Sequence, residues 1–240
     1  MSARGQAAAG AAAIVAGWAG LTLAVYYAVA AIMPGWDYAR VSTVTLVVLA
    51  LVLVVWLGRD DGWRRCGFAD GLRASDAGLV GLAALIALAP LAAGVRWPGA
   101  ADLAVMIVGY ALTGFVEEAL FRGLLIERLR PRGARFAVVV SAVLFGLLHL
   151  VNIAFRGQVA PILAQMVGVA CFGIGYGALR LRIGTIWPLI VLHMLTDLCL
   201  HLGRWPVIPV AVVQDTLLLI LGLWLMRAGV SRGSAPPRAP

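Results

Sequence analysis

Hydrophobic side chains come in long blocks separated by short polar breaks, and eight of these blocks approach the roughly 20 apolar residues that a membrane span requires. They cover about residues 11–33, 41–57, 77–95, 103–126, 136–152, 159–179, 185–202 and 207–226. The pattern predicts an all-α polytopic membrane bundle of about eight transmembrane helices, forming one domain over residues 1–240. Residues 1–10 read as a small Ala-rich leader and 227–240 as a Pro-, Gly- and Ser-rich tail, both expected to be disordered. The first block is too long for the apolar region of a cleaved signal and is expected to remain as an anchor.

Composition agrees with the pattern. The chain is 62% hydrophobic and 12% charged, where a soluble domain carries about 25% charged residues. The net charge is +8, and all 19 basic residues are arginine. In a soluble protein this excess would point to nucleic acid. Here the arginines fall in short loops, so membrane topology and anionic lipid headgroups explain them and no nucleic-acid partner is expected. With the N-terminus inside, fourteen arginines lie on the cytoplasmic side. Arg40, Arg96, Arg156 and Arg204 lie outside, and Arg122 lies within a span. Both termini are therefore expected in the cytoplasm, the membrane being a bacterial-type plasma membrane. Cys66, Cys171 and Cys199 have no metal-binding or redox spacing and read as inert thiols.

The fourth block carries Val116-Glu117-Glu118-Ala119-Leu120-Phe121-Arg122. Ionisable groups inside a membrane are costly and mark functional sites by default. Glu118 and Arg122 are four apart and share a helical face, so they can pair, either as a frame or as part of the chemistry. Glu117 lies about 100° round the helix and points elsewhere, toward a cavity. Other buried candidates are His149, His193, Asp197 and Asp215. Counting inward from the span ends at 1.5 Å per residue, Glu117, His149 and His193 fall at roughly 15–20 Å, close enough in depth to share a site. Phe145 and His149 are four apart, as are His193 and Asp197. Phe145 can wall the histidine's cavity, Asp197 can hold His193 in one tautomer, and Asn152 can hydrogen-bond nearby.

The chemistry these groups suit is amide hydrolysis. A buried Glu beside a His can deprotonate water, and a second His can stabilise an oxyanion. Glu117, His149 and His193 could instead hold zinc with a fourth position open. No His-Glu-x-x-His helix and no Gly-x-Ser-x-Gly elbow is present. Two other classes remain open: a non-catalytic membrane immunity or scaffold protein, and a proton-coupled transporter using the carboxylates as a relay. Asp215 has no evident partner, and His201 is placed at the outer interface without a role.

In order and spacing, Glu117-Glu118-x-x-x-Arg122, Phe145-x-x-x-His149 and His193-x-x-x-Asp197 resemble the motifs of the CPBP family. That family comprises type II CAAX prenyl endopeptidases and bacterial bacteriocin-processing or immunity (Abi) membrane proteins. Phe172-Gly173-x-Gly175-x-Gly177 and Ile183-Gly184-Thr185-Ile186-Trp187 are similar to its third motif, and the resemblance covers about residues 103–200. It implies an eight-helix intramembrane endopeptidase, metallo- or glutamate-type, acting on a protein or peptide through a site open to the cytoplasmic side. It further implies that Glu117 and His149 activate water, that Glu118 and Arg122 support them, and that His193 with the residue four later serves the oxyanion. That residue is Asn in the eukaryotic pattern and Asp197 here, so an ionised side chain would oppose the oxyanion. Gly173 and Gly177 also form a Gly-x-x-x-Gly pair suited to close helix approach.

Overall fold

The computed structural model describes residues 2–229. Eight helices correspond to the eight apolar blocks: α1 (Ala3–Ile32), α2 (Tyr38–Leu57), α3 (Ala74–Ala93), α4 (Ala100–Arg132), α5 (Ala134–Arg156), α6 (Val159–Ile183), α7 (Trp187–Leu202) and α8 (Val207–Arg227). Seven are long and apolar enough to cross a bilayer, α7 being the shorter exception, and the protein is an integral membrane protein. Among the described residues there is no strand, only an isolated bridge between Val95 and Gly203.

The leader differs from its expectation. Ser2 caps α1 by accepting from the Gly5 amide, and the helix runs from Ala3, because an Ala-rich stretch behind a serine cap has the strongest helix propensity available. The expected tail begins inside α8, which continues to Arg227; its remainder from 230 lies outside the described residues.

Contacts between helix ends define the two ends of the bundle. At one, Arg4 on α1 donates to the Arg132 carbonyl and Arg135 on α5 donates to the Met226 carbonyl on α8. At the other, the Tyr27 hydroxyl donates to the Ala154 carbonyl, and Arg156 lies over the Tyr38 ring at 5.0 Å. The second end carries an aromatic group, with Tyr26 against Phe155 at 4.2 Å between ring centroids, as expected of an interfacial belt.

Within the bundle, α4 lies between α2 and α7, and α6 lies between α5 and α8. Glycines set the second arrangement. Gly173 and Gly177 face Ala142 and Val138 of α5, while Gly175 on the opposite face meets Leu218 and Gly222 of α8. A Cβ on Gly175 would stand 2.5 Å from the Leu218 carbonyl oxygen, whereas one on Gly17 would meet nothing within 4 Å. Gly175→Ala should therefore destabilise by about 1–3 kcal/mol through overpacking. Gly17→Ala should leave the thermal midpoint unchanged or slightly raised, which parallel melts of the two variants would check.

Helix α7 has 16 residues, roughly 24 Å, less than the roughly 30 Å hydrocarbon thickness. Its ends are therefore recessed, and loops satisfy them. At the start, the Ile186 amide donates to the Gly67 carbonyl and the Trp187 indole to the Phe68 carbonyl. At the end, the Arg96 amide donates to Leu202 and its guanidinium to Gly203. This short, tethered helix is what carries His193 into the middle of the protein.

The loop that tethers its start also buries Cys66 against Gly123. Burial, with a contribution from Glu127, pushes the Cys66 thiol up to about 11. At pH 8 only about a thousandth would be thiolate. Iodoacetamide should leave Cys66 unmodified in the folded protein and label it after denaturation, as peptide mass spectrometry would show.

Candidate active site

The site is built where α4 leaves regular helical geometry. Its α-helical part ends at Glu118, and Ala119–Leu125 forms a π-helical turn. Such widened turns are rare and often lie at functional sites. Ser141 of α5 donates to the Phe121 carbonyl at 2.8 Å, supporting the widened turn. Glu118 stands at the edge of the distortion and Arg122 within it, and both are sealed from solvent, at 0% and 1% exposure. Arg122 Nη1 stands 3.1 Å from Glu118 Oε1, and its guanidinium lies 4.3 Å from the Phe145 ring centre. A planar cation stacked on an aromatic face and paired to an acid is suited to a dry site.

The same Glu118 oxygen holds His193. Nδ1 of His193 lies 2.7 Å from Glu118 Oε1, so the ring donates to that carboxylate through Nδ1. Nε2 then faces Glu117 Oε2 at 3.6 Å and Asp197 Oδ2 at 3.7 Å. One expectation changes here: Asp197 lies beyond hydrogen-bond range of the imidazole, so Glu118, not Asp197, orients the ring. Glu117 and Glu118 part as expected, Glu118 onto Arg122 and Glu117 onto a cavity described below, but α7 inserts one imidazole that meets both.

His149 sits in a short 3-10 turn, His149–Val151, at the end of the main α5 helix. Its Nδ1–H donates to the Phe145 carbonyl at 2.9 Å, which leaves Nε2 as the lone-pair nitrogen in the neutral ring. Phe145 stands edge-on to His149 at 4.8 Å and lies behind it rather than lining the cavity. Asn152 donates to Gln165 of α6 at 3.3 Å, a partner the sequence did not single out. His201 is exposed and stacks on Tyr110, and Asp215 lies against Gly168 of α6.

Glu117, His149 and Asn152 line one cavity of about 80 Å³, together with Trp18 and Thr22 of α1 and Leu49 of α2. One buried water needs roughly 10–15 Å³ on this measure, so several fit. Glu117 Oε2 is buried without a hydrogen-bond partner, while its side chain retains 19% exposure. Only the polar Thr22 in the first apolar block hinted that α1 takes part. Phe155 also lines the cavity, which places it at mid-depth and toward the aromatic end of the bundle. Glu117 and His149 each lie fifteen residues, roughly 22 Å, from the arginine-rich end of their helices, somewhat deeper than the span ends expected from the sequence give.

The zinc alternative fares differently. Among the described residues, no three His, Cys, Asp or Glu side chains stand in an arrangement that could hold a metal ion. Glu117 and His193 face each other at 3.6 Å, but no third ligating side chain joins them. A site made of Glu117, His149 and His193 does not fit these positions.

Fold and site together define a class: a polytopic membrane protein with an acid–imidazole cluster and a water-sized cavity inside the bundle. Residues 99–199 match the family model Rce1-like, described as type II CAAX prenyl endopeptidase Rce1-like. This segment, about two fifths of the chain, is similar to that family of intramembrane proteases and holds Glu117, Glu118, Arg122, His149, His193 and Asp197; the similarity supports an intramembrane endopeptidase activity in general. No curated protein matches the chain.

Proposed function

We propose that the protein hydrolyses a peptide bond of a membrane-associated protein or peptide at the Glu117 cavity, with water as nucleophile. The observation that carries this reading is that Glu117 and His149 share one small cavity, beside an imidazole anchored from behind.

Glu117 accepts a proton from the attacking water, and His149 Nε2 accepts that water's second hydrogen and orients it. In its doubly protonated imidazolium form, the His193 ring stays fixed through Nδ1–H on Glu118 and directs Nε2–H at the carbonyl oxygen as charge develops there. Arg122 pairs with Glu118 and holds it in place, so the imidazole has one orientation. The proton taken by Glu117 then passes to the leaving amine, which balances the reaction. Glu118 and Arg122 are positioning residues on this reading, since both are sealed from solvent and act through His193.

Asp197 stands beside Nε2 where an ionised carboxylate would oppose an oxyanion. In its protonated form it donates a hydrogen bond instead. Asp197→Asn should therefore keep cleavage within about fivefold, because the amide donates in the same place. A loss of a hundredfold in single-turnover cleavage would show that the ionised acid is required.

We place both termini on the cytoplasmic side, from the arginine bias. Peptidomics of membranes from cells expressing wild-type or Glu117→Gln protein tests the function. Peptides with new termini present only with the wild type support an endopeptidase, and their sequences identify the substrate. Identical peptide sets over a broad expression range would refute the reading.

A further inference from the structure

A second hollow, larger than the Glu117 cavity, lies away from the acid–imidazole cluster. It has a volume of about 690 Å³ and lies at the arginine-rich end, where the start of α1, the α4–α5 turn and the end of α8 meet. This is within the ordinary range of small-molecule sites, about 300–1,000 Å³. Its polar rim is cationic. Arg4 and Arg135 both line it and both are exposed. Their contacts are with neutral groups: Arg4 Nε donates to the Arg132 carbonyl, Arg135 Nη2 donates to the Met226 carbonyl, and Arg4 lies 5.7 Å from the Phe136 ring centre. Among the described residues neither has an acidic partner. The acid on the α4–α5 turn, Glu127, is engaged by Arg130 and Arg180.

Below the rim the wall is apolar. Phe136, Val139 and Val140 lie at i, i+3 and i+4 on α5, a strip running from the helix start into the membrane, and Val139 is 43% exposed. A guanidinium pair above an apolar strip matches a phosphate ester with an acyl chain. It does not match a peptide or a soluble anion, which would leave one part or the other unused. The chain beyond residue 229 carries Arg232 and Arg238 and no acid, so its charge opposes it as an occupant.

We propose that this hollow binds one anionic phospholipid, with its phosphate between Arg4 and Arg135 and an acyl chain along Phe136, Val139 and Val140. The two carbonyl contacts hold the guanidinium groups at the rim while leaving their remaining N–H groups for phosphate oxygens. A lipid there would join α1, α5 and α8 at the arginine-rich end.

The test is native mass spectrometry of the full-length protein extracted in mild detergent, titrated with dioleoyl phosphatidylglycerol or dioleoyl phosphatidylcholine. The wild type should retain one phosphatidylglycerol and release phosphatidylcholine. Arg4→Gln with Arg135→Gln should weaken retention about tenfold or more, from roughly fivefold per lost cation near the surface. Arg4→Lys with Arg135→Lys should keep most of it, which distinguishes a charge-based site from a purely structural role of the guanidinium groups. Arg204→Gln, at the opposite end, should change nothing. Equal retention of the two lipids, or unchanged retention in the folded Gln pair, would overturn the proposal. So would release of phosphatidylglycerol by millimolar inorganic phosphate, which would identify a soluble-anion site. If the Gln pair does not fold, lipid selectivity of the wild type and the Lys pair decides.

Discussion

Glu117→Gln should lower the cleavage rate by about a thousandfold, within the 10²–10⁴ range of a lost general base, and leave the fold intact. The amide has the shape of the carboxylate but accepts a proton poorly. Its surroundings should tolerate the change: the Glu117 side chain opens on a cavity, and its approach to His193, 3.6 Å, is too long for the fold to depend on a hydrogen bond there. Single-turnover cleavage in detergent, with thermal melts of both proteins alongside, separates the effects. Lost turnover with an unmoved midpoint supports Glu117 as the base. Turnover within tenfold of wild type would assign the base elsewhere.

Arg122→Met should do the opposite and act mainly on stability. Arg122 is 1% exposed, pairs with a fully buried Glu118 and stacks on Phe145. Removing one partner of a buried pair leaves the other charge uncompensated, at about 3–5 kcal/mol. For a chain of this size that is roughly 6–20 °C of thermal midpoint. His193 still contacts Glu118 at 2.7 Å, so the loss should fall short of that of an isolated carboxylate. Arg122→Met combined with Glu118→Gln should recover part of the midpoint, because no buried charge is then stranded, while activity stays low because His193 has lost its anchor. A double variant no more stable than Arg122→Met would mean that ring stacking, and not charge, is what Arg122 supplies.

The chemistry was unevenly legible in the chain. Intramembrane charge announces itself against an apolar background, so Glu117, Glu118, Arg122, His193 and Asp197 stood out. A four-residue spacing correctly paired Glu118 with Arg122. The same rule applied to His193 and Asp197 put them on one face of α7 but misjudged the partner, because an α4 carboxylate comes a full ångström nearer the ring. The π-turn over Ala119–Leu125 has no sequence signature, being stabilised partly by Ser141 from another helix. Trp18 and Leu49 could not be found as cavity walls, since apolar residues in an apolar block look alike whichever way they face.

By itself the sequence determined that eight apolar blocks become helices in a membrane and which buried groups carry charge, since both follow from local hydropathy and from the cost of desolvating ions. It also revealed the small residues along α6, though not which neighbour each admits. Only the tertiary structure decided that one imidazole stands between two adjacent glutamates, that the cavity lies toward the aromatic end, and that two arginines face an apolar hollow without an acid. These depend on helix rotation, depth and crossing, which side chains distant in sequence determine through contact, and no local pattern encodes a contact between residues 75 positions apart.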